Sequence, residues 1–201
     1  MKEIRVEEYF SIGFQLGKRT YWTIFFNFLI YIILGICASI TVVGILVLPA
    51  LFAGFTKFLL KAARGEAVDV GDSLSEGFKN GMWWKALLFS ILALFGIIVG
   101  LFLLILPGLY LSTAWILGFY LLVDKGMRPL EALGKSRELV HQLGFWKIFV
   151  IVIGLSIVTQ LIAVIPFLGL LLIFLQPFII MIYVAIYENA IGNSLEAGED
   201  K

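Results

Sequence analysis

Three long stretches without a single charged residue constrain this chain more than any other feature. They cover 20–56, 86–123 and 148–187, which contain 37, 38 and 40 residues. A helix rises about 1.5 Å per residue and the hydrocarbon core of a bilayer is about 30 Å thick, so about 20 residues cross it once. Each stretch is long enough for two crossings, and the sequence therefore predicts six membrane spans.

Composition and charge support an integral membrane protein. Hydrophobic residues make up 61% of the chain and charged residues 14%, against about 25% charged in a typical soluble domain. The net charge of +1 offers no basic field for nucleic acid, so no nucleic-acid partner is expected. The expected fold class is all-α: an integral membrane bundle of six transmembrane helices, arranged as three helical hairpins with short cytoplasmic amphipathic helices.

Turn residues near the middle of each stretch place the hairpin turns. A glycine precedes a proline in all three, from Gly44 to Pro49, Gly100 to Pro107 and Gly169 to Pro177. These prolines are expected in the first turn of the second helix of each hairpin, and Pro166 at the end of the fifth span. The predicted spans are 22–43, 46–63, 84–101, 105–123, 146–165 and 171–188.

The distribution of Lys and Arg predicts the orientation of the spans. All 15 lie in four segments separated by even numbers of spans: 1–19, 57–85, 124–147 and 188–201. The positive-inside rule assigns such segments to the cytoplasm. Both termini are therefore expected to be cytoplasmic in a multi-pass protein.

A repeated aromatic pair indicates internal repetition. Trp22, Trp84 and Trp146 are each 62 residues apart, and each follows another aromatic residue. The chain is interpreted as a single transmembrane domain, 1–201. It contains three repeats at about 1–63, 64–126 and 127–192, each opening with a short amphipathic helix, and a polar tail at 193–201.

Several short motifs resemble those of a broad superfamily of prokaryotic six-helix membrane proteins. They are Glu131–Arg137, Gly144–Lys147, Gln176–Phe178 and Tyr183–Glu188. That superfamily is related to the membrane domain attached to some glycerophosphodiester phosphodiesterases. The resemblance implies a prokaryotic cytoplasmic membrane and a six-helix fold. It implies no phosphodiesterase activity, because the catalytic barrel of those enzymes is absent from this sequence.

The sequence contains no combination of residues typical of a catalytic or metal site. HExxH, GxSxG and P-loop motifs are absent, and the one histidine, His141, has no neighbouring carboxylate–histidine pattern. We therefore expect no enzyme activity, no metal and no cofactor. Tryptophan and lysine near predicted span ends instead indicate lipid-headgroup contacts. These candidates are Trp22, Trp84, Lys85, Trp146 and Lys147.

Polar residues inside the predicted spans are the second group of candidates, because burying them in hydrocarbon is costly. They are Asn27, Lys57, Gln160 and Glu188. We expect Lys57 to extend its ammonium towards the membrane surface and Glu188 to pair with a basic neighbour. Asn27 and Gln160 are expected to hydrogen-bond across helices.

Together these features predict a non-catalytic integral membrane protein that binds membrane lipid, with a modest anionic preference, or a membrane protein partner. Two alternatives stay open. A small transporter or channel would use the intramembrane polar residues as its pathway. A membrane-shaping hairpin protein would insert uncharged hairpins without fully crossing. The sequence leaves the oligomeric state undetermined.

Overall fold

The computed structural model describes residues 5–165 and 168–199, and this part of the chain is helical with no strands. Its helices are α1 (Val6–Arg19), α2 (Tyr21–Ser39), α3 (Val42–Arg64), α4 (Val70–Glu76), α5 (Met82–Leu103), α6 (Ile105–Ala114), α7 (Gly118–Lys125), α8 (Pro129–Leu143), α9 (Phe145–Val164) and α10 (Leu168–Glu199). A 3-10 turn at Lys79–Gly81 precedes α5.

The prediction of six helices long and apolar enough to cross a membrane is confirmed. They cover Tyr21–Ser39, Val43–Arg64, Lys79–Leu103, Ile105–Lys125, Phe145–Val164 and Leu171–Gly192. Each lies within a few residues of its predicted span. The chain is therefore an all-helical, multi-pass membrane protein by the length and composition of its helices.

Local sequence explains where several helices begin and end. The Thr41 hydroxyl accepts a hydrogen bond of 2.9 Å from the Gly44 amide and so caps the first turn of α3. Gly65 and Gly126 adopt positive φ after α3 and α7, a conformation that only glycine reaches without steric cost. Pro129 occupies the first position of α8, where its missing N–H is harmless.

Three details differ from the sequence-based expectation. Pro49 and Pro177 lie inside α3 and α10, because those helices begin well before the prolines, whereas Pro107 does lie in the first turn of α6. The expected polar tail is helical up to Glu199, where α10 ends. Pro166 and residues 200–201 lie outside the described residues.

The fourth span is broken, which the sequence did not predict. A turn at 115–117 separates α6 from α7. Ser136 of α8 bridges this break, since its hydroxyl donates to the Ala114 carbonyl at 2.8 Å and accepts from the Leu117 amide at 3.2 Å. Ser136 is fully buried, so α8 supplies hydrogen bonds that the interrupted helix cannot make itself.

The six long helices fall into an inner and an outer group. Within an apolar 18-residue segment of the second, fourth and sixth spans, 50%, 39% and 39% of the residues are buried. In the first, third and fifth spans the corresponding shares are 22%, 17% and 22%. The inner helices are therefore α3, α6 with α7, and α10, and the outer helices are α2, α5 and α9.

Buried side chains concentrate where α3, α7 and α10 meet, whereas the connections between paired helices are exposed. Leu60, Leu121 and Val184 are almost completely buried. At the connections, Ile40 is 78% exposed and Phe102 is 91% exposed. An apolar surface of this kind is stable only in a nonpolar solvent, as expected of helices that face lipid.

Small residues allow α5 and α6 to approach closely. A Cβ added at Gly96 would lie 2.5 Å from the Trp115 ring, and one at Gly100 would lie 3.0 Å from the backbone of Gly108. The two glycines form the G-x-x-x-G spacing that permits backbone contact between membrane helices. Trp115 therefore packs over a glycine inside the bundle.

We predict that Gly100→Leu lowers the melting temperature of the detergent-solubilised protein, because a bulky side chain forces α5 away from α6. The expected cost is about 1–3 kcal/mol, typical of an overpacked interior. Gly154→Leu is the matched control, since a Cβ at Gly154 meets no atom within 4 Å. Equal melting temperatures for the two variants would contradict a tight α5–α6 contact.

Candidate functional site

The three inner helices meet at one charged cluster, which we call the hub: Arg64, Asp124, Tyr187 and Glu188. Arg64 ends α3, and its guanidinium donates to both carboxylate oxygens of Asp124, at 2.7 and 2.9 Å. The same guanidinium contacts Glu188 of α10 at 2.9 Å. One cation therefore joins α3 to both of the other inner helices, and the expected pairing of Glu188 with a basic residue is found.

Asp124 depends on these partners. Its side chain is only 4% exposed, and besides Arg64 it accepts a hydrogen bond of 2.8 Å from the Tyr187 hydroxyl. Tyr187 is itself fully buried and stacks against Tyr120 with ring centroids 5.4 Å apart. An ionised carboxylate is tolerated at such a position only because each oxygen has a donor.

The N-terminal helix contributes a further hydrogen bond close to the hub. Tyr9 of α1 is buried, and its hydroxyl donates to the side-chain oxygen of Asn189 at 2.9 Å. Burial, with a smaller contribution from the neighbouring charge of Glu8, raises the pKa of Tyr9 to about 12. Tyr9 therefore remains a protonated donor at neutral pH and fixes α1 to α10.

A polar pocket of about 300 Å³ opens beside the hub, and we call it the lysine pocket. Its polar walls are Lys57, Glu76, Asn80, Lys85, Asp124 and Lys125, and its remaining walls are Ala53, Met82, Val123 and Gly126. These residues come from α3, from α4 and the following turn, from the start of α5 and from the end of α7. Three lysines from α3, α5 and α7 thus line one pocket.

The carboxylates of the lysine pocket already have cationic partners outside its lining. Asp124 is held by Arg64. Glu76 lies 3.3 Å from Lys79, one helical turn away. The positive charge of the pocket is therefore only partly neutralised by its own acids.

The lysines themselves are weakly engaged. Lys85 donates to the carbonyl oxygen of Gly126 at 2.8 Å, which is a neutral partner. Lys125 lies 3.7 Å from Asp124, near the limit of an ion pair. Within the described ranges, Lys57 has no ion pair or hydrogen bond through its ammonium. The pocket consequently offers positive charge to a ligand.

Backbone geometry shapes one wall of the pocket. Asn80 has φ 53° and ψ 31°, and it is the one non-glycine residue with positive φ among those described. Gly81 follows with φ 69°. Asparagine tolerates this conformation better than most residues, and positive-φ positions are common where a loop is shaped for a ligand. The turn places Asn80 in the lining of the pocket.

An apolar groove shares Lys85 with the pocket as a lining residue, and we call it the α5 groove. It has a volume of about 400 Å³ and is lined by Trp84, Lys85, Leu87, Leu88, Ile91 and Pro129. Leu88 and Ile91 are about half exposed. The groove follows α5 away from the pocket, so a charged cavity and an apolar channel share one lysine.

The residues predicted to contact lipid headgroups occupy the starts of the three outer helices. Trp22, Trp84 and Trp146 are 63%, 63% and 73% exposed. Lys85 and Lys147 are half-buried beside the latter two. Lys57, predicted separately, lies with Lys85 in the lysine pocket, whereas Glu188 belongs to the hub.

The two neutral polar candidates lie in different surroundings. Asn27 is 1% exposed, and neither atom of its amide has a hydrogen-bond partner in 5–165 or 168–199. Gln160 is exposed on the outer surface of α9, in a shallow groove with Ser156 and Leu161. They do not line a shared pathway through the described bundle.

Sequence reasoning missed Arg64, Asp124 and Tyr187, because each was assigned to a span end or to a solvated segment. A usable signal existed. Asp124 and Glu188 are 64 residues apart, close to the 62-residue spacing of the tryptophan pairs. Comparing residues at about this spacing would have singled out two acids for pairing with a basic residue of α3.

No family model, no curated protein and no solved structure matches this chain.

Replacing Arg64 by Met should destabilise the bundle, because it leaves the enclosed carboxylate of Asp124 without its cation. We expect a loss of about 3 kcal/mol in the free energy of unfolding, typical of a broken buried ion pair. Adding Asp124→Asn to Arg64→Met should restore part of the lost free energy of unfolding. The control is Arg128→Met, which removes an ion pair whose arginine is 81% exposed. Similar losses of unfolding free energy in Arg64→Met and Arg128→Met would show that the hub does not stabilise the bundle.

Proposed function

We propose that this protein is a non-catalytic, multi-pass membrane protein that holds membrane lipid at its cytoplasmic face. One observation carries the proposal. An outward-facing tryptophan stands at the start of each outer helix, and its indole is at least 63% exposed in all three cases. Indole rings favour the headgroup region of a bilayer, so these residues suit anchors at one membrane surface.

The proposed arrangement is three hairpins related by an internal repeat. α2 packs on α3, α5 on α6, and α9 on α10, in agreement with pairing of consecutive helices. A shorter helix precedes each pair: α1, α4 and α8. Their charged residues and the connected loops belong to the proposed cytoplasmic face, with both termini on that side of a prokaryotic membrane. Membership of the six-helix superfamily stays a prediction.

Lipid binding has more support than transport. The buried amide of Asn27 and the exposed amide of Gln160 lie apart, whereas a transporter needs polar groups along one route. The lysines at the starts of α5 and α9 instead lie beside the exposed tryptophans. Anionic headgroups are attracted to such lysines by about 1 kcal/mol each before screening. A membrane protein partner would use the same outer surface.

The proposal predicts that purified protein retains phospholipid with a modest anionic enrichment. Lys85→Gln/Lys147→Gln should reduce that enrichment about threefold at low salt, because two headgroup cations are lost. Native mass spectrometry of lipid-bound protein measures it. The control, Lys79→Gln/Lys135→Gln, removes the same charge from two lysines that do not directly follow an exposed tryptophan. Protein that retains no phospholipid, or a double variant with unchanged enrichment, would defeat the proposal.

A further inference from the structure

We propose that the lysine pocket binds the phosphate of an anionic phospholipid, one of whose acyl chains lies in the α5 groove. This assignment rests on the proposed function, because it names the lipid class and the place where it is held. A phosphate group presents several acceptor oxygens and suits a site with converging ammonium donors. The pocket volume of about 300 Å³ is within the range of small-ligand sites.

Charge balance favours an anion over a neutral headgroup. Lys57, Lys85 and Lys125 face the pocket, while Glu76 and Asp124 are paired with cations outside it. Binding a phosphate would bring Lys57 the partner that the described residues do not provide. A zwitterionic headgroup would also place its own cation among three lysines, which is unfavourable.

The adjoining groove favours a lipid over a free phosphate ion. Lys85 lines both cavities, and Leu88 follows it by three residues on α5, so a lipid whose phosphate binds Lys85 has apolar side chains of the groove within one helical turn. Trp84 stands at the same junction and is largely exposed. A glycerol backbone at an indole and an acyl chain on apolar side chains are the usual environments of a phospholipid at a membrane boundary.

The first test compares Lys57→Gln with Lys61→Gln, its matched control one turn further along α3, which does not line the pocket. Full-length protein is placed in nanodiscs of phosphatidylcholine, and phosphatidylglycerol is titrated in. Lys57→Gln should weaken phosphatidylglycerol binding about tenfold, the value of one charge-assisted hydrogen bond, and Lys61→Gln less than twofold. Equal effects of the two substitutions would overturn the assignment.

A second pair of variants separates the lipid from a free anion. Ile91→Trp fills the α5 groove, whereas Leu94→Trp adds the same bulk to a lipid-facing position outside it. Only Ile91→Trp should weaken phosphatidylglycerol binding. Inorganic phosphate at millimolar concentration should compete poorly. Strong competition by inorganic phosphate, with no effect of Ile91→Trp, would show a phosphate-ion site and overturn the lipid assignment.

The outcomes also separate this assignment from the proposed function. Protein that retains no phospholipid at all overturns both. Protein that retains anionic lipid, loses it in Lys85→Gln/Lys147→Gln and keeps it in Lys57→Gln overturns only the pocket. The headgroup contacts would then lie at the outer surface beside the tryptophans.

A second inference rests on different residues: we infer that the three units form a closed ring. Each short helix packs on the inner helix of the preceding unit: α4 on α3, and α8 on α7. α1 has no preceding unit, and it packs on α10, the inner helix of the last one. The first unit therefore contacts the third unit through α1 and α10. The second unit contacts the first in the same way, through α4 and α3.

We call the contacts α1–α10, α4–α3 and α8–α7 the three seams, and they use equivalent positions. Each short helix presents two small residues four apart to two positions, also four apart, on the inner helix. In the α1–α10 seam, Gly13 contacts Ile182 and Gly17 contacts Phe178. In the α4–α3 seam, Ser73 contacts Gly54 and Gly77 contacts Ala50. In the α8–α7 seam, Ala132 contacts Gly118, and Ser136 contacts Ala114 just before α7. The inner-helix positions recur every 64 residues. Small residues at such spacing let helix backbones approach closely.

Disulfide cross-linking in a Cys37→Ser background tests the closure. Gly17→Cys/Phe178→Cys should cross-link, because a Cβ added at Gly17 lies 3.4 Å from the Cα of Phe178. Gly134→Cys/Phe178→Cys is the negative control, since Gly134 faces open space. No more cross-linking in Gly17→Cys/Phe178→Cys than in the negative control would show an open row of units and overturn the ring.

A stability measurement guards against variants that misfold. A Cβ at Gly13 would lie 2.7 Å from the side chain and 2.8 Å from the backbone of Ile182. Gly13→Leu should therefore lower the melting temperature, and Gly134→Leu should not. Equal melting temperatures would show that α1 does not close the ring.

Discussion

The guanidinium of Arg64 is the interaction on which the arrangement of the inner helices depends. It binds Asp124 of α7 and Glu188 of α10 with one planar group, so the ends of three helices must meet at one point. Asp124 is enclosed with its side chain 4% exposed, whereas Arg64 and Glu188 are about one-third exposed, so it is the carboxylate of Asp124 that needs a further donor. The hydroxyl of Tyr187 supplies one, and it also fixes α10 against α7. Helices brought together here pack their apolar faces around the hub.

The bilayer explains why the packing weakens away from the hub. In water, an exposed residue such as Phe102 would favour collapse of the connection between α5 and α6 onto the core. In lipid that driving force is absent, and helix contacts depend on small residues and on hydrogen bonds. The structure has both: Gly96 and Gly100 beneath α6, and Ser136 bridging the break in the fourth span. Close contact is therefore local, not distributed along every helix.

The sequence predicted the six spans because crossing length is fixed by the bilayer and charge-free stretches are visible without any packing information. It also predicted a basic partner for Glu188. It did not predict the break after Ala114, since the hydrogen bonds that stabilise it come from Ser136 on another helix. It missed Asp124 for a similar reason. A carboxylate at a span end looks solvated until the arginine that encloses it is located, and that arginine is 60 residues away.

The three-unit arrangement that we propose accounts for a polar pocket at one seam and not at its equivalents. At the 64-residue spacing of the inner helices, the positions equivalent to Lys57 are Leu121 and Ala185, which carry no charge. Lys85 does have an equivalent, Lys147, 62 residues later on an outer helix. Only the seam between the first and second units therefore combines an inner-helix lysine with an outer-helix lysine. Under the proposed arrangement, ammonium groups from both kinds of helix are available to a phosphate only at the pocket beside Lys57, among the described residues.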